Sequence, residues 1–497
     1  MDIAIICFYY IVLLILAVYG VHRFHLVRLV KLRKIIAEAP IPTAWPAVTV
    51  QLPVFNEPEV VERLLEAAAA MQYPAELDIQ LLDDSTDATT QIAAGKIENL
   101  RRRGVRVSHL RRGDRTGFKA GALAAGMEAS RAPLLAVFDS DFVPPADFLL
   151  NVVPFFCRKE IGMVQVRWSH LNAAQSLLTS VQAVYLDAHF AVESTARSAS
   201  GRFLNFNGTA GVWRREAIEG AGGWSASTLT EDLDLSYRAQ MAGWRFLFLP
   251  DVQVPAELPA TLAGFHDQQH RWAKGSLQTA RKLLPSILRS TLPTKVKTEA
   301  FFHLTSNMAY LLTLLLALFI VPSLLIRQRL GLQWLILFDL VLFASSTLSI
   351  FAFYFEGQRR VGRSRPGWKT SIGLLVIGVG MSVRNAAAAV EGLVQRGGFF
   401  QRTPKQGGGS KAAHADQSPR IPLGETILFG YFAVVVVIFA MTGQLMALPF
   451  VLLFLAGYGY VAFRGILEAW RFRLDAGQKA LFDNDLAYDF DGVRIAE

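Results

Sequence analysis

LLAVFDSD, Leu134 to Asp141, runs from five apolar residues straight into two acids one residue apart. The apolar run has strand length and reads as a buried strand. Two like charges at the end of such a strand are costly unless a cation neutralises them. Carboxylate oxygens are hard ligands suited to Mg2+ or Mn2+, which would tie Asp139 and Asp141 to a diphosphate. A DxD triplet is also common in solvated turns, so its meaning depends on what surrounds it.

Upstream, AVTVQL (Ala47 to Leu52), LDIQLL (Leu77 to Leu82) and VRVSHL (Val105 to Leu110) have strand length too. Glu59 to Met71 and Thr89 to Arg103 lie between them with helical composition. This alternation, over about Ala47 to Pro250, predicts a nucleotide-binding α/β domain around a mostly parallel sheet. Ligands of such sheets sit beyond the carboxyl ends of the strands.

Other polar groups punctuate the same region. Asp83-Asp84-Ser85 directly follows LDIQLL; it is either a strand end with a helix cap or a carboxylate site for a nucleoside base or ribose. Thr230-Glu231-Asp232 opens LDLSYRAQMAGW. Thr230 can cap that helix with acids in its first turn, or Asp232 can act as general base on an acceptor hydroxyl. Gln268, Arg271 and Trp272 fall at i, i+3 and i+4 and share one helix face. A guanidinium there suits a diphosphate and the indole a pyranose; the bland alternative is an interfacial Trp and Arg pair. Lys119 stands between Gly117 and Gly121, a cation where backbone can approach closely, or simply a surface lysine.

Of 497 residues, 52% are hydrophobic and 18% charged, which reads as part membrane and part globular domain. The net charge of +9 does not point to nucleic acid, because Lys and Arg sit largely beside apolar segments, where headgroups and topology account for them. Cys7 and Cys157 are the only cysteines. They exclude a disulfide framework and a cysteine-rich zinc site and suit a catalytic domain in a reducing compartment.

Ile3 to Val21 is apolar and is followed by His22, Arg23, His25, Arg28, Lys31, Arg33 and Lys34; a retained signal anchor is favoured over a cleaved signal peptide. Further apolar runs are Leu304 to Leu325, Leu332 to Phe355, Ile427 to Met446 and Pro449 to Phe463. Ser371 to Val394 carries Arg384, Asn385 and Glu391 and is expected to be an interfacial helix, leaving five spans. The α/β domain, the basic loop Arg359 to Lys369, the loop Gln395 to Arg420 and a tail with Arg464, Arg471 and Arg473 then share one side, the cytoplasm. Arg327 and Arg329 break that rule in either arrangement.

Taken in order, Asp83-Asp84, Asp139 to Asp141, Thr230 to Asp232 and Gln268 to Trp272 form a DD, DxD, TED, QxxRW series. The series resembles the processive family 2 glycosyltransferases, the cellulose synthase and cellulose synthase-like group. VQVRWSHLN (Val164 to Asn172), FNGTAGVWR (Phe206 to Arg214), AGGW (Ala221 to Trp224) and ELP…QQHRW (Glu257 to Trp272) resemble its A and C branch, which includes plant mannan synthases.

The resemblance implies an α/β GT-A (Rossmann-like) domain over residues 45–285, inserted between transmembrane helices. An anchor would occupy 1–24, an interfacial helix and two spans 286–357, an interfacial helix 370–395, a gating-like loop 396–420, two spans 424–468 and a cytosolic tail 469–497. It implies inverting, metal-dependent transfer of a hexose from UDP-glucose or GDP-mannose to a growing β-linked, expectedly β-1,4, polysaccharide, with translocation across the bilayer. Asp232 would be the base. Glu57, Asp83, Asp84, Lys119, Asp139, Gln268 and Arg271 would bind the donor, Asp139 and Asp141 the Mg2+ or Mn2+, and Asn207, Glu231 and Trp272 the acceptor. Phe400 to Lys405 resembles the family's FxVTxK gating loop through Phe400, Thr403 and Lys405, with Arg402 in place of the valine. No PilZ-like domain follows the last span, so control by a cyclic dinucleotide is not expected. The alternatives are a non-processive transferase that makes a membrane glycolipid, and a catalytically silent sugar-binding or transport protein.

Overall fold

The computed structural model describes residues 1–32, 39–395, 397–398 and 421–485. Its globular part is built on seven strands: β1 Val48–Val54, β2 Leu77–Asp83, β3 Val107–Arg111, β4 Leu134–Val137, β5 Ile161–His170, β6 Gly211–Arg214 and β7 Arg245–Ala256. They form one sheet in the order β3-β2-β1-β4-β6-β5-β7. β1 to β4 pair in parallel, as the upstream alternation predicts, and β5 pairs in parallel with β7. Only β6 runs against its neighbours, β4 and β5.

The apolar runs are explained by burial on both faces. On one face Val50, Leu52, Leu81 and Ala136 pack with Leu64, Leu65, Ile97 and Phe148. On the other, Leu82, Leu135 and Val137 pack with Leu123, Phe190, Phe206 and Trp213. A sheet covered on both sides needs apolar residues at consecutive strand positions, and all four residues of β4 are buried.

Five described helices are long and apolar enough to cross a membrane: Asp2–Lys31, Met308–Arg329, Gln333–Arg360, Leu423–Met441 and Leu445–Leu474. This is the build of an integral membrane protein. The expected single helix Ser371 to Val394 is two helices, Trp368–Gly380 and Ser382–Val394, bent by 49° at their junction. At the bend Gly380 lies against the carbonyl of Gly457, where a side chain would have no room. The last helix, Leu448–Asp485, runs past residue 468 unbroken, so no backbone change separates a final span from a tail.

The two arginines that broke the charge rule are both paired. Arg327 is buried, its Nη2 2.8 Å from Asp339 Oδ2 and its Nη1 donating to Tyr10 Oη at 2.6 Å. Arg329 is paired with Asp2. Each pair joins two different helices.

Candidate active site

β2 and β4 flank β1, so the segments leaving their carboxyl ends open on one edge of the sheet. There lies a cavity of about 180 Å³, walled by Glu57, Asp84, Lys119, Asp139, Asp141, Asn207, Glu231, Asp232, Gln268, Arg271 and Trp272 among others. Groups from positions 57 to 272 are thus brought together.

Asp83 is not among them. Successive residues of an extended chain point to opposite sides, and Asp83 turns away from the cavity into the protein. Its buried carboxylate accepts from Ser85 N at 2.9 Å and lies 2.8 Å from His109 Nε2. Burial opposes its charge, but the bonds from His109 and Ser85 prevail and hold the carboxyl at about 2. Asp84 does line the cavity, and Arg112 grips it from both guanidinium nitrogens that face it, Nε at 2.9 Å. Nothing in the spacing of the motifs pointed to Arg112.

Asp139 follows β4 by two residues, and its N–H donates to Thr209 Oγ1 at 2.8 Å. Lys119 reaches it from the helix Phe118–Glu128: Nζ lies 2.5 Å from Asp139 Oδ1 and 2.8 Å from the Gly208 carbonyl. Burial works against the charge on Lys119, yet Asp139, Glu231 and Asp232 outweigh it and hold the amine above the ordinary lysine range. The turn at Asn207 and Gly208 is pinned by Gln165 on β5. The Gln165 Oε1 accepts from Asn207 N at 3.0 Å, and its Nε2 donates to the carbonyls of Thr209 and Ala210. Gln165 lies within the VQVRW stretch that carried the resemblance, but only the fold assigns it this task.

Glu231 and Asp232 open the helix Glu231–Met241. Thr230 occupies the cap position but its side chain makes no capping bond; it faces Thr279, with the two hydroxyls 3.3 Å apart. Burial raises both carboxyls. That of Asp232 is pushed up to about 7, with the charge of Glu231 adding to burial and Lys119 opposing. Asp232 Oδ1 accepts from Leu233 N at 2.8 Å.

The fourth motif lies on the long helix Leu262–Arg289, and its Gln268, Arg271 and Trp272 all line the cavity, as the i, i+3, i+4 spacing requires. Burial pulls the Arg271 guanidinium below its ordinary range, against the attraction of Glu231 and Asp139. Gly275 lets this helix press on the third motif: a Cβ there would meet Thr230 Cγ2 at 2.5 Å. The same helix holds the end of Ser382–Val394 through Lys274 to Glu391 at 2.9 Å, and Gln278 donates to the Gly397 carbonyl at 2.6 Å. Phe400, Thr403 and Lys405 lie outside the described residues.

Asp139 and Asp141 both face the cavity, Asp141 nearly buried at 5%. Among the described residues no group of three or more His, Cys, Asp and Glu is placed to hold a metal. Mg2+ is usually held by one or two carboxylates, with substrate phosphates and water completing its shell. Two hard carboxylates beside a Lys and an Arg therefore fit a cation shared with a diphosphate.

A family model described as "Glycosyltransferase like family 2" matches residues 46–275. Glucomannan 4-beta-mannosyltransferase 1 of Oryza sativa subsp. japonica is 40% identical over 291 residues, 56% of this chain and 56% of that protein. Glucomannan 4-beta-mannosyltransferase 2 of Arabidopsis thaliana is 42% identical over 252 residues, 50% of this chain and 47% of that one. The chain thus spans about half the length of the curated relatives it matches. Among solved structures, a mannosyltransferase from Pyrobaculum calidifontis in complex with GDP-Man and Mn2+ aligns with a TM-score of 0.55 at 21% identity, over 79% of this chain and 99% of that one. At that identity the likeness is one of fold, the GT-A architecture.

Proposed function

Since residues 46–275 are a family 2 glycosyltransferase domain, we propose that the protein transfers mannose from GDP-mannose to the end of a β-1,4-linked polysaccharide. The observation that carries this reading is the single cavity in which Asp139, Asp141 and Lys119 stand with Asp232, Arg271 and Trp272. The names of the relatives, glucomannan 4-beta-mannosyltransferases, favour mannose over glucose.

Asp84 receives the nucleoside, with Arg112 fixing the carboxylate so that it does not swing. Lys119 and Arg271 draw the diphosphate between them. A divalent cation on Asp139 and Asp141 would neutralise the charge of the departing nucleotide. Trp272 stacks on the terminal sugar of the acceptor, and Asp232 takes the proton from its hydroxyl. A carboxyl raised to about 7 is matched to that task, because a general base works best when its pKa lies near the operating pH. The hydroxyl attacks the anomeric carbon from the face opposite the diphosphate, so an α-linked donor gives a β-linked product.

The basic loops that flank the spans favour the cytoplasm for this domain, and the adjoining membrane helices offer the product a route outward. The test is to incubate the purified protein in lipid with a panel of radiolabelled nucleotide sugars and Mg2+ or Mn2+, then size the product with linkage-specific hydrolases. A long β-1,4-mannan from GDP-mannose is expected. A single sugar on a lipid would overturn the polysaccharide acceptor, and no nucleotide release from any donor would overturn the reading altogether.

A further inference from the structure

A second cavity, of about 270 Å³, shares no lining residue with the catalytic one. It lies between the start of the long helix Leu262–Arg289, the helix Ser382–Val394 and the ends of two spans, Leu423–Met441 and Leu445–Leu474. Its depth follows from span length, because about 20 residues cross the hydrocarbon of a bilayer. Glu425 is the third residue of its span, and Gly465 and Glu468 come 20 and 23 residues after Leu445. The cavity therefore stands at headgroup level.

Arg384 and Glu425 both line it. Arg384 Nη1 donates to His266 Nδ1 at 3.0 Å, and its Nη2 lies 3.4 Å from Asp267 Oδ1. Burial, with Arg384 beside it, pulls His266 down to about 3, so the ring is neutral and free to accept that bond. A guanidinium carries five N–H donors, and Arg384 is 27% exposed, which leaves donors for a ligand. Glu468 is already used, accepting from Leu262 N at 2.9 Å and Ala263 N at 3.2 Å. Glu425 is 2% exposed, and no other described residue bonds either of its oxygens. Its Oε1 is enclosed by protein; Oε2 is the oxygen left to meet the cavity.

A buried carboxylate without a partner is costly and calls for a cation. A guanidinium in the same cavity, not paired with that carboxylate, calls for an anion. One molecule at headgroup depth carries both, an ammonium a few bonds from a phosphate. A choline headgroup has the charge but no N–H to donate, and a glycerol headgroup has no cation. Ile421 and Leu423, 45% and 67% exposed at the rim, supply the apolar surface that acyl chains need.

We propose that this cavity binds the headgroup of an ethanolamine phospholipid, its ammonium on Glu425 and its phosphate on Arg384. The proposal is independent of the transferase reading, and its test measures binding alone. Full-length protein stripped of lipid in detergent is titrated with phosphatidylethanolamine, phosphatidylcholine and phosphatidylglycerol, and the first bound lipid is quantified by native mass spectrometry. The ethanolamine lipid is expected to bind about tenfold tighter than the other two, the least that one charged hydrogen bond is worth. Glu425→Gln brings it to the level of the choline lipid, whereas Arg384→Gln weakens all three. Ala387→Leu, which fills the cavity without removing a charge, also weakens all three and erases the preference.

Equal binding of the three lipids, a preference for the glycerol lipid, or an ethanolamine preference that survives Glu425→Gln would each overturn the proposal. Displacement of the lipid by soluble phosphoethanolamine at the same concentration would assign the cavity to a free metabolite and overturn the membrane ligand. Where Glu425→Gln does not fold, Ala387→Leu decides in its place, an unchanged preference overturning the site.

Discussion

Gly208 sits where Asp232 and Lys119 leave little room for a side chain, so Gly208→Ala tests the proposed arrangement most directly. Its φ is +81°, and a Cβ would lie 3.0 Å from Asp232 Oδ2 and 3.4 Å from Lys119 Nζ. Two penalties follow, and they separate. The left-handed backbone costs an alanine about 1–2 kcal/mol, which appears as lost stability. The close approach pushes the Asp232 carboxylate by a few tenths of an ångström, and since misplacement by about 1 Å can cost about 10²-fold in rate, a loss of roughly fourfold in kcat is expected. Gly104→Ala is the control: φ there is +83°, but nothing lies within 4 Å of the added Cβ. Nucleotide release from GDP-mannose and thermal unfolding are measured on both variants. Both are expected to lose similar stability, and only Gly208→Ala to lose turnover. A Gly208→Ala enzyme with the kcat of Gly104→Ala would refute the placement of Asp232 against this turn.

Asp232→Asn is expected to lower turnover by about 10²- to 10⁴-fold, the usual worth of a general base, with donor affinity by calorimetry nearly kept; near-normal transfer would remove Asp232 from that role. Gly275→Val forces the long helix away from Thr230 and should lower the thermal midpoint through overpacking of about 1–3 kcal/mol, an effect that an unchanged midpoint would disprove. Asp83→Asn should leave donor affinity unchanged while reducing stability, because this carboxyl is buried against His109 and Ser85. The sign follows from a folded value near 2: the contribution is complete above the unfolded carboxyl range and fades as pH falls through about 2. The stability gap between wild type and Asp83→Asn therefore narrows on acidification, and thermal melts across pH check it.

Much of the site was legible in the chain because it depends on neighbours in sequence. An apolar run ending in acids marks a strand end at Asp139, and the i, i+3, i+4 spacing sets Gln268, Arg271 and Trp272 on one face. Both readings use only local backbone periodicity. The five long apolar helices were equally visible, since length and composition decide them. The sequence determined by itself a mostly parallel sheet with acidic clusters near its strand ends, joined to long apolar helices.

What the tertiary structure alone decided are the pairings across distance. Asp83 and Asp84 look alike in the motif, yet strand alternation and the packing of β3 bury one against His109 and leave the other to the cavity with Arg112. Lys119 was one lysine among many until the helix Phe118–Glu128 brought it to Asp139. The break at Gly380 and the pairing of Arg327 with Asp339 depend on neighbouring helices. Such contacts are written in no local pattern, since their geometry exists only once the burial of distant apolar surface has closed the fold.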